Sequence, residues 1–227
     1  MGFSKTGVPG LGILIVPLMA MVFPARRSVG VLLPMLITGD IFAITWYFRY
    51  TQWKKLYVLI PFVAAGMAPG FLVLHMIRED RPLKLLLAGI ILVLIGIELL
   101  RRKFRWRNMP NSWWFSGVSG SCAGFGTAVG NAAGPVMSMY LVSRELNKHE
   151  FMGTKAWFFF AVNLVKVPFF IMLGMITPHT LKFNMYMVPA VITGVFLGFT
   201  VLPLIPQKIF NTAVILLALA AALKLLF

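Results

Sequence analysis

The sequence predicts an all-α integral membrane protein with two related halves, and three observations lead to this prediction. Hydrophobic residues make up 59% of the 227-residue chain and charged residues only 12%, whereas a soluble domain is about half apolar and a quarter charged. Apolar stretches of about 20 residues, the length that one membrane-spanning helix needs, recur along the chain. Each half also opens with a hydrophobic segment that glycine and proline interrupt.

Apolar windows of helical length divide the chain into segments with short connections. The segments are residues 7–24, 29–48, 56–77, 83–100, 113–142, 151–176, 183–205 and 209–227. The fifth is too long for one ordinary span, and it contains a cluster of glycines, so it is predicted to form two half-helices joined by irregular backbone. Nearly every residue lies in or beside a segment, and no soluble domain is expected.

The two halves, residues 1–107 and 108–227, share landmarks in the same order. The first half has G-V-P-G-L-G-I-L-I-V-P at residues 7–17, and the second has G-F-G-T-A-V-G-N-A-A-G-P at residues 124–135. Further pairs are Gly30 with Gly153, Asp40 with Asn163, Pro61 with Pro189, Gly66 with Gly194, Gly70 with Gly198 and Glu98 with Lys224. Paired interrupted segments in two halves indicate the binding site of a transporter. We favour inverted repeats, which an odd number of crossings per half would produce, over the parallel repeats that four full spans would produce.

The formal net charge of +15 limits the classes of partner. A basic chain suits nucleic acid, an anionic lipid surface or an anionic solute. Nucleic acid is not expected, because no hydrophilic stretch is long enough to form a binding module. Membrane lipids explain most of the loop lysines and arginines. The densest basic run, R-R-K-F-R-W-R at residues 101–107, is predicted to face the cytoplasm.

Enzymatic chemistry, a cofactor and a metal site are not expected. The chain has one cysteine and three histidines, and the histidines lie near segment ends without the spacing of metal ligands. A membrane enzyme would need a nucleophile and base pair or a metal site, and the sequence suggests neither.

Polar residues inside the apolar segments are costly in lipid and are therefore candidates for function. Asp40 lies in the second segment, and Asn163 and Lys166 share one face of the sixth. Lys155 lies on nearly the same face, about 16 Å away along a helix. Alternative interpretations remain: Lys155 reaches the membrane surface, and Lys166 pairs with Asp40 or binds carbonyls that Pro168 frees.

The glycine-rich segments are predicted to hold an anion through backbone N–H groups at half-helix N-termini. The candidate residues are Gly126, Thr127, Gly130, Asn131 and Gly134 in the second half and Gly10 and Gly12 in the first. Irregular backbone at membrane depth survives where it lines a cavity or is buried in protein. The alternative is that the glycines permit close helix packing, which is the better interpretation for 66–70 and 194–198.

These motifs resemble a known family. The segments G-F-G-T-A-V-G-N-A-A-G-P-V-M and G-T-K-A-W-F-F-F-A-V-N-L-V-K-V-P-F-F, with the repeated proline and glycine helices, are similar to the TauE/SafE family of sulfite exporters and sulfonate permeases. The resemblance covers essentially the whole chain. It implies a multi-pass carrier of the bacterial inner membrane, with duplicated halves, for sulfite, sulfonates or related anions. The residues of this sequence that match the family's motifs are Thr127, Asn131, Pro135, Lys155, Asn163 and Lys166. The family usually has a hydrophobic stretch before the first glycine motif, whereas only six residues precede Gly7 in this sequence. The first motif also has fewer glycines than the family's usual run.

The function predicted is secondary transport of a small sulfur oxyanion by alternating access. Backbone N–H groups of both glycine segments, with Lys166, Asn163 and Lys155, would hold the anion. Asp40 would be the coupling group, exchanging a proton or neutralising Lys166 when the site is empty. The alternatives are a passive anion channel and a carrier for small carboxylates. The identity of the anion, the direction of transport and the formation of an oligomer stay open.

Overall fold

The computed structural model describes residues 11–103, 112–201 and 207–226, which form helices and connecting turns without a strand. The helices are α1 (Leu11–Val22), α2 (Ala25–Tyr47), α3 (Trp53–Met76), α4 (Asp80–Lys103), α5 (Trp113–Gly130), α6 (Gly134–Val142), α7 (Lys148–Met172), α8 (Pro178–Val201) and α9 (Gln207–Leu226). A 3-10 turn, Phe48–Tyr50, follows α2. The all-α prediction is confirmed, and each predicted apolar segment overlaps a helix, or two in the case of 113–142.

Helical stretches long and apolar enough to cross a membrane are Ala25–Tyr50, Trp53–Met76, Asp80–Leu100 and Lys148–Met172. Large apolar side chains of these stretches are exposed, among them Trp46, Val93 and Ile171. Water would not favour so many exposed apolar side chains on a monomer, whereas lipid would. The helices therefore belong to a membrane protein.

Helices α2 and α7, named the central helices below, lie side by side and run antiparallel. Hydrogen bonds join them along their lengths, from Arg26 to Leu173, from Asn163 to Asp40 and from Gln52 to Thr154. In the order of these bonds, the residue number rises along α2 and falls along α7, so the two helices are antiparallel.

Two glycines allow this pair to pack closely at both ends. A Cβ added at Gly30 would lie 2.2 Å from the carbonyl oxygen of Met175, just beyond α7. A Cβ added at Gly153 would lie 2.6 Å from the carbonyl oxygen of Tyr47, at the end of α2. The start of each helix thus packs against the backbone at the end of the other helix. Gly30 and Gly153 are also one of the residue pairs in the predicted repeat.

Helices α3 and α5 pack in parallel through a second set of glycines. A Cβ added at Gly66 would lie 2.0 Å from the carbonyl oxygen of Ser121, and one added at Gly124 would lie 2.1 Å from that of Val63. Gly70 approaches Ala128 in the same way. The packing role predicted for Gly66 and Gly70 is confirmed, and it fixes α5 against a membrane-length helix.

The buried apolar residues form two large clusters. One lies mainly among α1, α2, α4 and α9, and the other mainly among α3, α5, α6 and α7. Helices α3 and α7 contact each other through two aromatic pairs. The rings of Phe71 and Phe169 stack, and the ring of Trp53 packs against that of Trp157. An apolar groove of about 600 Å³ lies between these aromatic pairs.

Candidate functional site

The chain leaves the helical conformation at Asn131, between α5 and α6. Asn131 adopts a left-handed backbone conformation with φ 54° and ψ 28°, which Asn tolerates better than most residues. Its N–H donates to the carbonyl of Thr127, and the N–H of Ala132 donates to the carbonyl of Gly126. These bonds close the C-terminal end of α5 in the manner of a helix cap.

Helix α6 begins directly after this break and turns back beside α5. Pro135 lies in its first turn, a position where the missing N–H costs nothing. Arg144, just beyond α6, donates a hydrogen bond to Ser116 near the start of α5. Helices α5 and α6 therefore form a hairpin, and residues 131–133 are its tip. We call these residues the hairpin tip.

Lys166 of α7 contacts the hairpin tip with its side-chain ammonium. The residue is fully buried, and its Nζ donates to Asn131 Oδ1 at 2.5 Å, to Thr127 Oγ1 at 3.0 Å and to the Thr127 carbonyl at 3.3 Å. The Thr127 carbonyl belongs to the last turn of α5, where the helix dipole is negative and attracts a cation. Lys166 thus stabilises the helix end that it contacts.

Asn131 connects the hairpin tip to a second helix. Its side-chain Nδ2 donates to the carbonyl of Val29 in α2 at 3.1 Å, while its Oδ1 accepts from Lys166. The carboxamide is half-buried. One side chain therefore joins the hairpin tip to both α2 and α7.

Asp40 and Asn163 form a buried pair beside Lys166. Asn163 Nδ2 donates to Asp40 Oδ2 at 2.7 Å, and the two residues are 0% and 1% exposed. Asn163 and Lys166 are three residues apart on α7 and face the same side. A carboxylate, a carboxamide and an ammonium group thus succeed one another from α2 to the hairpin tip.

The N-terminus of α6 is open beside Gly134. Ala133 precedes the helix, and no side chain caps its first turn. A Cβ added at Gly134 would meet no heavy atom of the surrounding described residues within 4 Å. Unpaired N–H groups and the positive end of a helix dipole suit a small anion.

The other predicted glycines support the hairpin tip by packing and capping, or lie in α1 or outside the described residues. Gly130 packs against Leu87 of α4, whose Cδ2 would lie 2.5 Å from an added Cβ, and Val16 of α1 is near the same point. Gly126 lies in the last turns of α5 and supplies a carbonyl to the cap. Gly12 falls in the first turn of α1, and Gly10 lies outside the described residues.

Lys155 is not brought to the hairpin tip. It lies near the start of α7, with its Nζ 5.6 Å from the centre of the Phe151 ring. The eleven residues to Lys166 correspond to about 16 Å along the helix.

One contributor to the site and one contact between helices escape the sequence analysis. The Val29 carbonyl that holds Asn131 is a backbone group with no sequence signal. Arg26 donates to carbonyls at the ends of α3 and α7, although its place in a basic loop suggested a contact with lipid headgroups. Among the described residues, no group of three or more His, Cys, Asp or Glu could hold a metal ion.

Comparison with known proteins gives one result that covers the chain. The family model described as "Sulfite exporter TauE/SafE" matches residues 1–225. No curated protein and no solved structure matches the chain.

Proposed function

The chain belongs to the sulfite exporter TauE/SafE family, and from this premise we propose that it is a multi-pass secondary transporter of the bacterial inner membrane. Its substrate is a small sulfur oxyanion, namely sulfite, a sulfonate or a related anion. The protein carries this anion across the membrane by alternating access. The observation that carries the proposal is the buried ammonium of Lys166 at the hairpin tip.

The anion binds between Lys166 and the N-terminus of α6. Asn131 Oδ1 accepts a hydrogen bond from Lys166, and an anionic oxygen replaces this neutral acceptor because an ion pair with an ammonium is the stronger interaction. The open space beside Gly134 accommodates the anion, and the N–H groups of the first turn of α6 contact its oxygens. The Thr127 hydroxyl lies 3.0 Å from Lys166 Nζ, and it rotates to donate a hydrogen bond to the anion.

Asp40 and Asn163 couple transport to a second ion. The pair bridges α2 and α7, which belong to different halves of the chain. Protonation of Asp40 removes the charge that attracts the Asn163 N–H, and the hydrogen bond weakens. A proton on Asp40 thereby changes how firmly the two central helices hold together, next to the residue that binds the anion.

The halves, residues 1–107 and 108–227, act as inverted repeats. Support comes from α2 and α7, which occupy corresponding places in the two halves and run antiparallel, and from the close approaches at Gly30 and Gly153. In such transporters one repeat rocks against the other around a fixed site. The Lys103 end of α4 faces the cytoplasm, because the dense basic run begins there.

The experiment that tests this function is transport into proteoliposomes that contain the purified protein. Sulfite, methanesulfonate and acetate are supplied in turn, with and without a proton gradient. Saturable uptake of a sulfur oxyanion, with exchange against the same anion loaded inside, supports a carrier. Uptake that rises linearly with concentration and shows no exchange indicates a channel, and preference for acetate indicates a carboxylate carrier. Either result overturns the proposal.

A further inference from the structure

A second cluster of cationic side chains surrounds a cavity at one end of the molecule. The cavity has a volume of about 320 Å³ and is lined by Arg26, His75, Arg78, Met172 and Leu173. It lies where α2 begins and where α3 and α7 end. Three of the five lining side chains carry a positive charge or can acquire one, and none carries a negative charge. We call this cavity the arginine pocket.

Arg26 is held rigidly in the arginine pocket. Its Nη1 donates to the carbonyls of Leu74 and Ile77 at 2.9 and 3.1 Å, and its Nη2 donates to the carbonyl of Leu173 at 3.2 Å. A guanidinium has five N–H donors, so these three bonds leave two N–H groups for a ligand. A guanidinium fixed in this way is ready to bind the oxygens of an anion without losing further side-chain freedom.

The other two side chains lack partners among the described residues. His75 and Arg78 are exposed, and neither side chain makes a hydrogen bond or an ion pair with another described residue. The neighbouring carboxylate of Asp80 is engaged elsewhere, because it accepts from the N–H of Ala25 and pairs with Lys84 at 2.6 Å. Glu79 is exposed beside Arg78 in the chain and does not line the pocket.

We propose that Arg26, His75 and Arg78 form a second oxyanion-binding site, separate from the one at Lys166. The ligand is a group with several negatively charged oxygens, either a free sulfur oxyanion or the phosphate of an anionic lipid. Arg26 supplies the fixed donors, and Arg78 and His75 close over the ligand from the surface.

The position of the arginine pocket gives this site a role in transport, which rests on the proposed function. Met172 lies six residues beyond Lys166 on α7, which is about 9 Å along the helix. A cationic pocket near the buried site raises the local concentration of anions and speeds their arrival. The pocket lies at the end of the molecule opposite Lys103, because α4 runs from Asp80 to Lys103.

The test uses full-length protein in neutral detergent without added lipid, titrated with sulfite in a calorimeter. Arg26 is left intact, because its loss would free three carbonyls. The variant His75→Gln/Arg78→Gln removes the two unpartnered basic side chains, and Arg27→Gln is the matched control, since Arg27 is exposed beside Arg26 but does not line the pocket. Each is also placed in a Lys166→Met background. All variants are first compared with wild type by size-exclusion profile.

The expected result is residual sulfite binding in Lys166→Met that weakens with added salt. His75→Gln/Arg78→Gln should weaken this binding roughly tenfold or more, and Arg27→Gln should leave it unchanged. Residual binding unaffected by the double substitution overturns a sulfite site in the pocket. If Lys166→Met binds sulfite as wild type does while the pocket variant does not, the Lys166 site fails and the arginine pocket stands.

A second measurement distinguishes the lipid source. Phosphatidylglycerol and phosphatidylcholine are offered in equal amounts, and retained lipid is counted by native mass spectrometry. Retention of phosphatidylglycerol that is lost in His75→Gln/Arg78→Gln, with sulfite binding unchanged, assigns the pocket to a lipid phosphate. If neither sulfite nor phosphatidylglycerol responds to the substitutions, the oxyanion site is rejected.

Discussion

Asn163 donates a 2.7 Å hydrogen bond to Asp40, and these two buried residues are a pair that the proposed repeat matches. Corresponding residues of inverted repeats can meet when their helices lie side by side in opposite directions, as α2 and α7 do. One partner is a carboxylate and the other its neutral amide counterpart. The meeting point of the halves is therefore chemically asymmetric, and only one side of it can exchange a proton.

The variant Asp40→Asn should separate binding from coupling. Asparagine keeps the shape of aspartate and still offers an oxygen to Asn163, so the helix pair should remain intact. We expect methanesulfonate affinity within about threefold of wild type, a change below 1 kcal/mol, and loss of its accumulation under a proton gradient. A sulfonate is used because its charge does not change over the working pH range.

The control for this experiment is Glu79→Gln, which neutralises an exposed carboxylate and should transport as wild type does. Continued uphill transport by Asp40→Asn would show that the coupling group lies elsewhere.

Much of this architecture could be predicted because helix length and apolarity are local properties. The main errors are at helix starts: α2 begins at Ala25 rather than near residue 29, since Arg26 and Arg27 interrupt the apolar pattern without interrupting the helix. Charged side chains at a helix end extend toward the membrane surface, so hydropathy alone places the boundary too late.

The site could be predicted less completely, because contacts between helices depend on their relative rotation and register. Asp40, Asn163, Lys166, Thr127 and Asn131 stood out as polar groups among apolar ones. Close packing of the helices at glycines brings Lys166 to the end of α5 and Asn163 to Asp40. The Val29 carbonyl had no signal, since every residue carries a carbonyl.

Close approach of backbones at Gly30 and Gly153 predicts that alanine is tolerated at neither position. An added methyl group would overlap a carbonyl oxygen at 2.2 or 2.6 Å, and backbone cannot move aside as a flexible side chain can. We expect each variant to lose about 1–3 kcal/mol or more of stability, seen as lower thermal stability in detergent.

Gly89→Ala and Gly96→Ala are the matched controls, because an added Cβ there meets no atom within 4 Å among the described residues. Both glycines lie inside α4, where alanine favours the helix by up to about 1 kcal/mol. Gly30→Ala as stable as Gly89→Ala would contradict the observed packing of α2 against the end of α7.

Two substitutions at Asn131 should distinguish backbone strain from the loss of its side chain. Both Asn131→Gly and Asn131→Ala remove the bonds to Lys166 and Val29. Glycine adopts the left-handed conformation freely, whereas alanine is expected to cost about 1–2 kcal/mol more. Thermal unfolding of the two variants measures this difference, and equal stability would contradict the conformation at φ 54°.

Asn131→Gly also tests how the anion enters the site. If the anion replaces Asn131 Oδ1 as the partner of Lys166, removal of the carboxamide should leave sulfite affinity equal to wild type or higher. A tenfold loss of affinity, about 1.4 kcal/mol, would instead identify Asn131 as a direct ligand.

Lys166→Met should weaken sulfite binding at the hairpin tip while leaving a folded protein. Methionine has nearly the length of lysine and fills the same buried space, but it cannot neutralise an anion. A charge-assisted hydrogen bond contributes about 1.5–3 kcal/mol, so affinity should fall by roughly tenfold to more than a hundredfold. Calorimetric titration with sulfite measures the loss, and a size-exclusion profile shows whether the fold survives.

The structural alternative for Lys166 predicts a different pattern. Its Nζ contacts three oxygen atoms of α5 and the hairpin tip. If the role of Lys166 is purely structural, Lys166→Met lowers thermal stability and leaves sulfite affinity unchanged.

Lys148→Met controls for the loss of a positive charge from α7, since Lys148 is exposed at the start of this helix. Lys166→Arg retains the charge but places a planar, larger donor group in a closed space, and should restore part of the affinity if charge is what the anion requires. Wild-type affinity in Lys166→Met would leave the N-terminus of α6 and the arginine pocket as the candidate anion-binding elements.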